Sequence, residues 1–66
     1  MTNSVDEIAS LLAKQASQTS GEFSYMLVQL TAITRELGQG LNGGHFDAGY
    51  VTDKAEKLIA AAKRIK

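Results

Sequence analysis

Gln18-Thr19-Ser20-Gly21-Glu22 is the stretch on which the fold turns. Its residues are poor helix formers, and Thr19 to Glu22 has the form of a capping box, in which a hydroxyl and a carboxylate three residues apart satisfy two free amides. A break there divides the chain into three helices of similar length, about residues 5–18, 20–37 and 48–65, as in a compact three-helix bundle. Without a break the first helix covers about residues 5–37 and is ~50 Å long, against ~28 Å for the helix after it. Its overhang then needs another chain to cover it.

The flanking pattern favours the continuous helix. Apolar positions run Val5, Ala9, Leu12, Ala16, then past Thr19 to Phe23, Met26, Leu30, Ile33 and Leu37, alternating steps of four and three. That phase is unbroken across Gly21, and an independent turn has no reason to preserve it. The expected fold is therefore all-α. It is an antiparallel helical hairpin, with a long first helix at about 5–37 and a second at about 48–65, dimerising into a helix bundle. The alternative is a three-helix bundle with a break near 18–21.

Local signals set the other boundaries. Ser4-Val5-Asp6-Glu7 reads as a capping box at the start of the first helix, and Gly38 and Gly40 read as its end near Leu37. Residues 38–46 form the glycine-rich interhelical loop of a single domain spanning 1–66. Asp47 suits an N-cap, with Phe46 placed to staple onto Val51. The last helix carries Val51, Ala55, Leu58, Ala62 and Ile65 on one stripe, broadened by Ile59, and Asp53 can pair with Lys57 one turn on.

At 100° per residue, Tyr25, Val28 and Ala32 fall on the side opposite the Phe23–Leu37 stripe, with Arg35 and Glu36 at the edges. A helix apolar on two faces belongs in the middle of an assembly. A homodimer of hairpins, drawn close by the alanines at 9, 13, 16, 55, 60, 61 and 62, accommodates it.

Composition narrows the function. A chain of 66 residues with no cysteine has neither a disulfide nor a thiolate to reinforce so small a core, which favours association. Seven basic and seven acidic side chains leave no net charge, so affinity from a broad cationic field is not expected. No apolar run approaches the ~20 residues that span a bilayer, and the N-terminus has no signal-peptide pattern, which points to the cytoplasm and away from membranes.

Each candidate site has a bland reading beside it. His45, the single histidine, sits next to the last helix with Tyr50 one turn beyond, a possible ligand pair at a dimer interface; a loop histidine with no role explains it as well. The glycine loop matches no phosphate-binding motif, and no cysteine or second histidine completes a metal site. Lys54, Lys57, Lys63, Arg64 and Lys66 form a basic cluster, the candidate contact for nucleic acid. Asp53 and Glu56 interrupt it, and complementing the helix dipole accounts for its end. Tyr25, Val28, Ala32 and Arg35 make the strongest candidate, because tyrosine brings rigid contact area with a polar tip. The expected function is a small protein-interaction module, a homodimer that masks, inhibits or adapts a larger protein, without catalysis or cofactor. A small nucleic-acid-binding regulator is the alternative, and a small-ligand-binding helical dimer a third.

Overall fold

In the computed structural model, which describes residues 4–65, the chain turns back at Gly21. Gly21 takes φ +70°, in the left-handed region that costs an L-residue about 1–2 kcal/mol and glycine nothing. Ser20 before it is extended. Just upstream the hydroxyls of Ser17 and Thr19 each donate to a carbonyl of the last turn, Lys14 O and Gln15 O, both at 2.7 Å. These bonds close the helix end that poor helix formers leave frayed. The result is three helices, α1 Ser4–Ser17, α2 Gly21–Leu41 and α3 Ala48–Arg64, with no strand among the described residues.

The continuous helix over 5–37 is thus overturned and the three-helix alternative fits. The heptad phase across the break carries no continuity. Folding back lets α1 lay Ala9 and Ala16 on α2 of its own chain, where a straight helix would need a second chain to cover them. Ser24 Oγ ties the corner by donating to Ala16 O at 2.8 Å.

The second boundary also moves. Gly38 and Gly40 do not end the helix; they are inside it. A Cβ on Gly38 would stand 3.1 Å from Asp6 Oδ1 and 3.3 Å from Val5 Cγ1, and one on Gly40 would stand 3.2 Å from Phe46 Cβ. Glycine here permits close approach, by α1 at Gly38 and by the loop at Gly40. The helix ends four residues later, where Gly43 takes φ +85°, Gly44 N donates to Gln39 O at 2.8 Å and Gly43 N to Gly40 O at 3.2 Å. That pair of bonds is a Schellman motif.

Two carboxylates fix α3. Asp47 caps it, its side chain accepting from Tyr50 N at 3.0 Å, while its own amide donates to Glu36 Oε2 at 2.8 Å. At the far end Arg64 Nε donates to Glu22 Oε2 at 3.0 Å. Consecutive helices are antiparallel, α2 lies between the other two, and among the described residues α1 and α3 do not approach each other.

The molecule is accordingly a layer one helix thick. Its Cα extents are 38 × 25 × 12 Å and its radius of gyration is 12.3 Å, above the ~10.8 Å of a close-packed chain this long. The contacts within the layer are small: Ala9, Ala16 and Ala61 are the buried apolar side chains, with Gly38 between α1 and α2. Ala61, not the expected Ala62, faces α2; Ala62 is exposed. Among the described residues no large side chain is fully buried.

Candidate functional site

A single layer has two open faces, and α2 contributes to both. Val28 and Leu37 are nine residues apart, about 180° around the helix. Val28 lines a groove of about 380 Å³ on one face and Leu37 a cleft of about 530 Å³ on the other. Tyr50 and Ile59 divide α3 by the same spacing.

The groove runs over α2 between the two outer helices. Ala13 and Ala16 come from α1, Val28, Ala32 and Arg35 from α2, and Tyr50 from α3. Three of the four residues singled out from sequence, Val28, Ala32 and Arg35, therefore meet in one place, and Tyr50 joins them. Tyr25 is exposed on the same helix but does not line the groove. The floor is small and apolar, with Thr31 satisfied by donating to Leu27 O at 2.7 Å. The polar groups, Arg35, Glu36 and Gln39, stand at the end nearest the loop.

Charge gathers beside the groove on α3. Lys54 Nζ lies 5.2 Å above the Tyr50 ring, a cation–π contact, and 4.0 Å from Asp53. Lys57 pairs with Asp53 at 3.1 Å, the expected one-turn pair. That bond and the carboxylate's charge hold the Lys57 ammonium above its ordinary 10.5, and the Tyr25 and Tyr50 phenols act in the same direction. The basic cluster is therefore largely paired: Lys54 and Lys57 with Asp53, and Arg64 with Glu22. Lys63 is exposed, and Lys66 lies outside the described residues. Tyr50 supplies an aromatic partner that the linear reading of the cluster lacked, because the contact spans one helical turn.

His45 and Tyr50 are not brought together. Tyr50 lines the groove, whereas His45 is exposed in the loop, lines neither cavity, and is held through its backbone, its carbonyl accepting from Gln39 Nε2 at 2.6 Å.

The opposite face is the one the sequence reading missed. Val5, Ile8, Leu37, Leu41 and Phe46 surround its cleft, joined by Thr34, whose hydroxyl is occupied by Leu30 O at 2.7 Å. Further along α2 the same face carries Leu30, Met26 and Phe23, within about 40° of Leu37 on the helical wheel. Phe23 is 59% exposed and Leu41 72%. This is the heptad stripe itself. The expected helix bundle places this stripe inside; in the structure α3 packs beside α2, not over the stripe. The exposed Ile8, off the stripe in α1, was the available clue.

Among the described residues no helix is long and apolar enough to cross a membrane. Among the same residues no group of three His, Cys, Asp or Glu is placed to hold a metal ion. No protein-family model, curated protein or solved structure matches the chain.

Proposed function

We propose that this chain is a protein-interaction module, working as a homodimer that docks onto a larger protein and modulates it by masking or competition. The observation that carries this reading is the inverted distribution of side chains. Alanines fill the contacts inside the layer, while ten large apolar or aromatic residues, from Ile8 to Ile59, are exposed on a chain of 66. Ile8, Phe23, Leu37, Leu41 and Phe46 share one face, and apolar faces that soluble proteins leave open mark binding surfaces. The chemistry on offer is contact. The groove presents one arginine, one glutamate and one tyrosine at its walls, with no nucleophile poised beside a base.

Two faces suit two tasks. The more apolar face suits permanent association, and the mixed groove of Val28, Ala32 and Arg35, with Tyr25 nearby, suits a partner that comes and goes. The test is a double substitution, Tyr25→Ala with Val28→Asp. It is expected to abolish capture of a partner by the full-length chain while leaving helicity and solution mass unchanged. Undiminished capture by the variant removes the groove face from the reading.

A nucleic-acid-binding regulator is the second reading, favoured by Lys54 over Tyr50 with Lys57 one turn away. The Asp53 and Glu22 carboxylates weigh against it by neutralising the cations that would meet phosphate. Its mark is binding that weakens steeply with salt.

A further inference from the structure

We infer that the apolar face is filled by a second copy of this chain, in an antiparallel dimer in which Phe23 of each copy enters the cleft of the other. The inference rests on the reading of this face as an interface and adds its occupant and register. Three observations carry it.

The first is area. The layer extends 38 × 25 Å between its outermost Cα atoms, broad enough for the about 800 Å² that a stable interface takes from each partner. The layer needs no further element to supply that.

The second is self-complementarity. The face carries Phe23, 59% exposed, toward one end of α2 and an open cleft beside Leu37 toward the other, and the two are separated along α2 by about 21 Å. Leu30 is midway between them in sequence. A two-fold axis lying in the interface and crossing α2 at Leu30 therefore lays each Phe23 over the partner copy's cleft. This satisfies the isologous rule that if one residue meets a second, the second meets the first. A cavity of about 150 Å³ accepts a benzene ring, so the 530 Å³ cleft has room for a phenyl group and a neighbouring side chain. The parallel alternative, with the two-fold axis along α2, brings Phe23 near Phe23 and carries each cleft, which lies on the α1 side of α2, over the α3 side of the partner, so neither cleft receives a Phe23.

The third is charge. Along α2 the face runs through Phe23, Met26, Leu30, Ile33, Leu37 and Leu41 without an ionisable group. Along that stripe a partner with an acidic or basic docking helix finds nothing to pair with. An identical apolar face meets no unpaired charge.

The chain has no native cysteine, so engineered thiols report proximity cleanly. The experiment measures solution mass by light scattering across a dilution series, then oxidative cross-linking of single-cysteine chains. Native protein is expected at twice 7.1 kDa. Leu30→Cys is expected to link to itself, and a mixture of Phe23→Cys with Leu37→Cys chains to form the mixed disulfide at least tenfold faster than either chain links alone. Val28→Cys, on the groove face, stays unlinked. Phe23→Ala is expected to raise the dimer's midpoint concentration about 100-fold or more, because each dimer loses the contact twice.

A dimer that links through Val28→Cys but not Leu30→Cys overturns the face. Linking at Leu30→Cys without the mixed disulfide overturns the register. A monomer at every concentration overturns the second copy, and thiol labelling then separates two cases. Free labelling of Phe23→Cys and Leu37→Cys leaves the face open for another protein, so the broader reading stands. Protection of both means the chain covers its own face, and that reading fails too.

Discussion

Replacing Gly21 by alanine is expected to destabilise the protein by about 1 kcal/mol. At φ +70° an L-alanine bears a left-handed backbone costing roughly 1–2 kcal/mol. Against this, alanine narrows the unfolded ensemble and recovers about 0.4–1 kcal/mol. Nothing lies within 4 Å of the position a Cβ would take, so no steric term enters and the balance is a matter of backbone alone. For a domain of this size 1 kcal/mol lowers Tm by about 4–8 °C. Thermal unfolding followed by far-ultraviolet circular dichroism, at one fixed protein concentration because association shifts Tm, measures it. A synthetic chain with D-alanine at the same position is the control. Its backbone prefers positive φ, so it keeps the entropic gain without the strain and is expected to melt higher than wild type. A continuous helix through residue 21 predicts the reverse for L-alanine, a gain approaching 1 kcal/mol from helix propensity. An L-alanine variant that melts higher than wild type refutes the turn.

Two further substitutions test the start of α3 and the buried side of α2. Asp47→Ala removes the cap that accepts from Tyr50 N and is expected to cost about 1 kcal/mol in urea unfolding, with Asp47→Asn retaining most of it; equal loss in both variants means the cap is not what matters there. Gln29 is only 6% exposed and its Oε1 has no hydrogen-bond partner. Gln29→Met, close in shape and free of that unsatisfied acceptor, is expected to raise the urea midpoint by the equivalent of about 1 kcal/mol, and an unchanged or lower midpoint shows that the amide is satisfied in solution.

Helices, their approximate number and most of their termini were legible because they depend on local chemistry. Asp47 was readable as a cap, Asp53 as the partner of Lys57, and Gly21 as a weak point, since each needs only neighbours within a turn or two. The break itself was not decided by those signals. The unbroken heptad phase argued against it, and phase proved a poor guide because the two halves of the stripe do different things: in α1 Ala9 and Ala16 pack against α2, whereas in α2 Phe23 and Leu37 turn out of the layer. Gly38 and Gly40 misled for a related reason. A glycine that stops a helix and a glycine that admits a neighbouring element look alike until the neighbour is located, and here the neighbours are Val5 and Phe46. The candidate site was half legible. Val28, Ala32 and Arg35 do share a groove, but Tyr50 reaches it from α3 and the larger face opposite was mistaken for core.

That mistake bears on function, because it turns on which residues are small. In a closed bundle the large side chains point inward and alanines dilute the surface. Here α2 directs Gly38, Thr31 and Gln29 toward its flanking helices and turns Phe23, Leu30, Leu37 and Leu41 out of the layer. Small residues let the three helices lie close in a plane, at the expense of the apolar burial that normally stabilises a domain. The larger residues can regain that burial only against a surface the single chain does not provide. A layer built this way favours association for the same reason that it is a weak fold alone: the side chains with most to gain from burial are the ones its own helices leave in water.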